Sequence, residues 1–290
     1  MSRGLTRACL LLAMVILAEA TGKPRVDAGD LYVANLRSSE ITVYDGHTGA
    51  FKQVFIEAGA AGVAGPTGIA FGPDGHLYVA NSQTNQILRY DGYTGDPLGP
   101  FIEDTALAMP FSLTFGPDGQ LYVSSGRGNV VRRYDGHSGA FLNLAAADNA
   151  LRQPIGLAFG PDRMLYVVNS VGKSVMRFDP NTGRGLVVVP EIGGFPSDVV
   201  FGPDNALYVS NASQRVVARY DYRSGAFRDT YALLPDGTAP VGLAFTADGR
   251  LFVGDFGGDR LFVVPPGGGP AHLVSADRLA GPENMVIKSQ

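Results

Sequence analysis

One motif returns six times along this chain, and its spacing leaves few folds open. Leu-Tyr-Val, or the variant Leu-Phe-Val, begins at Leu31, Leu77, Leu121, Leu165, Leu207 and Leu251, at intervals of 46, 44, 44, 42 and 44 residues. A second element precedes it. Pro66-Thr67-Gly68-Ile69-Ala70-Phe71-Gly72-Pro73-Asp74-Gly75 is echoed from Pro110, Pro154, Pro196 and Pro240. A third follows it: Arg89-Tyr90-Asp91-Gly92, echoed at Arg133-Tyr134-Asp135-Gly136, Arg177-Phe178-Asp179 and Arg219-Tyr220-Asp221. Self-similarity at such a period marks a chain built from one supersecondary unit that buries its apolar surface against copies of itself.

Each unit reads as four short strands. In the second unit these fall at Ile69–Phe71, Leu77–Ala80, Ile87–Tyr90 and near Gly99–Ile102, with Pro73-Asp74-Gly75 and Asp91-Gly92-Tyr93-Thr94-Gly95 as turns. No segment of about 12 residues shows a 3.6-residue period, so helices should be nearly absent. Radial repetition of four-stranded sheets is the propeller's answer to exposed sheet edges, whereas a solenoid would need capping units at both ends. This chain instead supplies its own closure. The first unit starts at Leu31 with no proline-initiated strand before it, and the chain finishes with Pro282-Glu283-Asn284-Met285-Val286-Ile287, which matches the missing strand. The fold class expected is therefore all-β: a six-bladed β-propeller of four-stranded blades over residues 26–290, closed by pairing of N- and C-terminal strands.

Most of what repeats is structural. Tyr32, Tyr78, Tyr122, Tyr166, Tyr208 and Phe252 recur at one place, and Phe71, Phe115, Phe159, Phe201 and Phe245 at another. Repeated aromatics suit packing between blades. Asp45, Asp91, Asp135 and Asp179 open turns, where a carboxylate accepts local backbone N–H groups.

The start of the chain reads as an export signal over residues 1–20. Arg3 and Arg7 precede an uncharged apolar run, and Ala18-Glu19-Ala20 offers a cleavage site. The run is too short to span a bilayer. The expected product is secreted or periplasmic and not membrane-inserted. Cys9, the only cysteine, leaves with the signal, which excludes thiol chemistry and disulfides. After that cleavage 21 basic and 26 acidic residues remain, a net charge of −5 that lacks the footprint of a nucleic-acid binder. Gly126-Arg127-Gly128 and Gly257-Gly258-Asp259 lie in tight loops without the strand-to-helix setting of a phosphate loop. Asn211-Ala212-Ser213 is a glycosylation sequon.

The long motif Pro-x-Gly-Ile-Ala-Phe-Gly-Pro-Asp-Gly-x-Leu-Tyr-Val-Ala-Asn resembles that of the NHL-repeat propellers, and is similar to the streptogramin lyase-like and gluconolactonase-like propellers, over residues 26–290. In such a propeller the loops before the first strand and after the second share one face. That face should collect Thr67, Phe111, Ile155, Ser197, Val241 and Glu283, then Gly68, Ser112, Gly156, Asp198, Gly242 and Asn284. The second-strand ends should add a ring of ligand-binding residues: Asn35, Asn81, Asn169, Asn211 and Asp255, with Ser125 in the remaining blade. The leading functional expectation is an exported propeller whose polar axial face binds a small molecule or a protein.

The gluconolactonase-like resemblance implies a rival, a metal-dependent lactonase-like hydrolase. Its divalent cation, calcium or another, would sit on Asp198, Glu283 and Asn284. The asparagine and aspartate that those enzymes carry just before the glycine are here Thr67, Phe111, Ile155 and Val241. Streptogramin lyase-like enzymes use histidines on the axial face. His47, His76, His137 and His272 are all expected elsewhere.

Overall fold

The structure, a computed structural model, describes residues 26–288, and the expected signal segment lies outside them. Among the described residues are six four-stranded antiparallel sheets and a single short 3₁₀ turn at Ala60–Gly62. Numbered in ring order, blade two comprises Pro66–Phe71, Leu77–Asn81, Gln86–Tyr90 and Pro97–Ile102, from the axis outward. The innermost strand begins at the repeat proline itself, three residues earlier than the apolar run suggests. Blades three to six repeat the order with innermost strands Pro110–Phe115, Pro154–Phe159, Pro196–Phe201 and Pro240–Phe245. No helix among the described residues is long and apolar enough to cross a membrane.

Blade one is assembled from both ends of the chain. Its innermost strand is Pro282–Ile287, paired antiparallel with Leu31–Asn35 in the register Leu31↔Ile287, Tyr32↔Val286, Val33↔Met285 and Ala34↔Asn284. Backbone bonds extend the seam: the Lys288 amide donates to Asp30 O at 3.0 Å, and the Gly29 amide to Lys288 O at 2.8 Å. The ring is thus closed by the two termini, as the repeat count demands.

Between blades the aromatic positions meet edge to face. Tyr32 packs on Phe71, Tyr78 on Phe115 and Tyr166 on Phe201 at 5.0 Å between ring centroids, and Tyr122 on Phe159 and Tyr208 on Phe245 at 4.9 Å. Such pairs stabilise beyond their buried area, each by about 0.5–1.5 kcal/mol. The sixth seam has Phe252 and Ile287 in these places. It is filled instead by a cluster that includes Leu31, Val33, Tyr44, Leu261 and Met285.

The tyrosine hydroxyls show what the split blade lacks. Tyr78, Tyr122 and Tyr166 donate to Asp74, Asp118 and Asp162 of their own first-to-second-strand turns, at 2.8, 2.9 and 3.0 Å. Tyr32 is fully buried, yet its hydroxyl finds no partner among the described residues. Its blade has no such turn, because those two strands come from opposite ends of the chain. The outer turns behave as expected: the amides of Thr48, Thr94 and Ser138 donate to Asp45, Asp91 and Asp135 at 2.6, 2.9 and 2.8 Å.

Candidate functional site: the axial cavity

Every innermost strand carries an irregularity next to its proline. Pairing breaks between Pro110 and Leu113, Pro154 and Leu157, Pro196 and Val199, and Pro240 and Leu243. The break is shorter in blade two, between Pro66 and Gly68, and in blade one it lies opposite Ala34 and Asn35. Bulges re-aim side chains, and here the residues after each proline are freed from the ladder where the six strands approach the axis.

The result is one cavity of about 300 Å³ on that face. All six residues expected at the first position line it: Thr67, Phe111, Ile155, Ser197, Val241 and Glu283. From the second position come Ser112, Gly156, Asp198 and Asn284. Five further residues come from the rim loops: Gln153, Phe195, Ala212, Ala239 and Phe256. These were missed in the sequence. Each stands one place before the repeat proline or one place after the second strand, and Phe195 and Phe256 are the aromatic residues at those places.

The ring of second-strand ends does not line the cavity, which corrects the expectation that it faces the axial depression. Asn35, Asn81, Asn169, Asn211 and Asp255 are buried, and their polar atoms hold the neighbouring rim loops. Asn81 accepts the Ala64 amide at 2.7 Å and donates to Gly62 O at 3.0 Å. Asn169 accepts the Arg152 amide at 2.6 Å, and Asn211 the Phe195 amide at 3.1 Å. Asn35 accepts the Ala280 amide at 3.0 Å, and Asp255 the Ala239 amide at 2.6 Å while pairing with Arg260. Each sits opposite or beside the repeat proline, so satisfying the incoming loop uses up its oxygen. The burial of Asn211 also removes the sequon from the surface.

Around the axis the second position alternates: Gly68, Ser112, Gly156, Asp198, Gly242, Asn284. The alternation is steric. A Cβ on Gly68 would lie 2.5 Å from Phe111 O, one on Gly156 2.7 Å from the Asp198 Cα, and one on Gly242 2.8 Å from Glu283 O. Two of the intervening side chains then latch the next blade. Asp198 Oδ2 accepts the Leu243 amide at 3.0 Å, and Asn284 Oδ1 accepts the Ile69 amide at 3.1 Å.

Two carboxyl groups therefore sit in this enclosure. Burial pushes Asp198 up to about 7, partly offset by the amides of Val199 and Leu243 that favour its charged form. Burial also pushes Glu283 up to about 7, with the charge of Asp198 adding to the rise and that of Arg37 opposing it. No donor among the described residues hydrogen-bonds the Glu283 carboxyl.

As a seat for a divalent cation the trio Asp198, Glu283 and Asn284 is thin. Calcium takes about 6–8 oxygens, while Asp198 Oδ2 and Asn284 Oδ1 already accept amides. Among the described residues no group of three or more His, Cys, Asp or Glu is placed to hold a metal ion.

All four histidines lie at the opposite ends of the strands. His76 follows the first-to-second-strand turn, with its ring 3.9 Å from Asp91, and His47 and His137 sit in outer turns. His272 pairs with Val263 at the start of an outermost strand. None lines the cavity.

The match to the virginiamycin B lyase family model runs over residues 53–288. The chain belongs to the virginiamycin B lyase family. Its fold is shared with a catalytically inactive histidine-to-alanine variant of virginiamycin B lyase from Staphylococcus aureus, solved with quinupristin (17% identity, TM-score 0.67, 88% of this chain and 83% of that one). It is also shared with a putative gluconolactonase (16%, 0.61, 73% and 78%) and with a chain of the nidogen/laminin complex (15%, 0.72, 89% and 98%). At these identities the likeness is one of fold. No curated protein matches by sequence. The titratable groups that line this chain's cavity are acids alone, Asp198 and Glu283.

Proposed function

We propose that this chain is an exported binding propeller of the virginiamycin B lyase family that holds a small organic ligand in its axial cavity. The observation that carries the reading is the cavity's lining: Phe111, Ile155, Phe195, Val241 and Phe256 supply apolar wall, and a few polar groups are set among them around the ring. That is the composition of a small-molecule site. Catalysis of the lyase kind is disfavoured because the S. aureus enzyme is described as inactive once a histidine becomes alanine, and this cavity holds no histidine. General-base work would fall to Asp198 or Glu283.

The test has two arms. A thermal-shift screen of small amphiphilic compounds should give stabilising hits that Phe111→Ala and Phe195→Ala weaken. Incubation with virginiamycin B should leave the antibiotic intact. Turnover of virginiamycin B would overturn the reading. Calcium-dependent thermal stabilisation that is lost in Glu283→Ala and Asp198→Ala would establish the metal-dependent hydrolase in its place.

A further inference from the structure

The cavity is lopsided in a way that narrows its ligand. In ring order Asp198 belongs to blade five, Val241 to blade six, and Glu283 and Asn284 to blade one, so both acids lie in one half of the ring. The facing half carries no charge: Thr67 of blade two, Phe111 and Ser112 of blade three, and Ile155 of blade four, with Phe111 and Ile155 as its apolar wall. No lysine, arginine or histidine lines the wall. The cation nearest in effect, Arg37, is committed outside it: its guanidinium holds Asp259 at 2.8 and 2.9 Å, donates to Phe256 O at 2.7 Å and stacks on the Phe256 ring.

We propose that this cavity selects organic cations: an ammonium group on a compact hydrocarbon body, the ammonium between Asp198 and Glu283 and the body against Phe111 and Ile155. The inference rests on the small-molecule reading above and adds the ligand's charge. Three points carry it. The Glu283 carboxyl has no donor among the described residues, while Asp198 accepts backbone amides only, those of Leu243 at Oδ2 and of Val199, so the Glu283 oxygens remain for an N–H donor. Two enclosed carboxyls without a counter-charge repel each other, and a monocation relieves that repulsion without the six or more oxygens a hard metal requires. Phe195 and Phe256 stand at the rim of the acid side, where aromatic faces attract a partly dehydrated ammonium.

Matched pairs decide it. Calorimetry at pH 8 compares 1-adamantylamine with 1-adamantanol, and 2-phenylethylamine with 2-phenylethanol, on the full chain. The amine of at least one pair should bind about tenfold or more tightly than its alcohol, the scale of a buried charge contact. Glu283→Gln and Asp198→Asn should each shrink that ratio, and the double variant should bring it near unity while still binding the alcohol. Equal binding of amine and alcohol overturns the charge inference but leaves the cavity as a small-molecule site. An amine preference that survives in the double variant also overturns it, since the acids would not be its source. Failure of all four compounds to bind counts against both readings.

Discussion

Asp198 and Asn284 are the same residue of the repeat, three residues short of the phenylalanine position or its isoleucine equivalent, and they do the same job with different chemistry. Each side-chain oxygen takes the amide that follows a glycine in the next blade, Leu243 in one case and Ile69 in the other. Asparagine does this without a charge to bury. Asp198 carries one, and burial raises it from the ordinary carboxylate range to about 7. The linkage follows directly. Between about pH 4 and 7 the folded protein holds a proton here that the unfolded chain has released, so this residue's contribution to stability falls as pH rises through that window. The turn aspartates act in the opposite sense. Asp45, Asp91 and Asp135 are held below their usual range, mainly by the amide and hydroxyl donors of their own turns, with burial opposing. The informative quantity is therefore a difference between variants. Asp198→Asn should melt with wild type at pH 4 and above it, by about 8–16 °C, at pH 8, given a shift of this size in a domain of this length. A difference that does not change with pH would show that Asp198 titrates normally.

At the scale of the element, the decisive device is the break in pairing beside each repeat proline. It frees two residues in each of blades three to six and one in blades one and two, and points the strand ends at the axis, where the ring is tightest. The alternate glycines answer that crowding. At Gly156 an added Cβ meets backbone, the Cα of Asp198 at 2.7 Å, which has nowhere to give except by shifting a blade. Gly156→Ala should therefore destabilise by about 1–3 kcal/mol, the usual result of forcing atoms into packed space. Denaturant unfolding measures it, and an unchanged midpoint would show that the blades are not in contact there. The first ring of the site was legible in the sequence because register alone places it: six positions after six prolines. The asparagine ring was misplaced for a reason of depth. Repetition shows that Asn35, Asn81, Asn169 and Asn211 share a role, but a latch on a buried loop amide and a group facing a ligand repeat alike. Phe195 and Phe256 were overlooked because they belong to loops, whose path depends on the very latches that were misread.

Closure and site meet in one strand at the scale of the whole molecule. Pro282–Ile287 completes blade one, seals the sixth seam through Met285, and delivers Glu283 and Asn284 to the cavity. That six blades exist, and that the ends must pair, could be read by counting, since counting needs no side-chain detail. That the closing strand also carries one of the two acids of the cavity needed the geometry. The seam is chemically distinct, with no tyrosine–phenylalanine pair and an unpartnered Tyr32 hydroxyl in the blade that it completes. On its other flank blade one is tied to blade two by Lys288, whose buried ammonium donates to Gly92 O at 2.7 Å.

Removal of residues 281–290 tests this most directly, because it takes away the strand that both closes the ring and furnishes Glu283 and Asn284. Without it blade one exposes an edge, and the flanks of blades two and six lose their cover. Thermal melting of the truncated chain should show cooperative unfolding lowered by more than about 10 °C, with a synthetic peptide of the missing residues restoring part of the loss when added in trans. A truncated protein that melts like the full chain would contradict both the closure and the site built upon it.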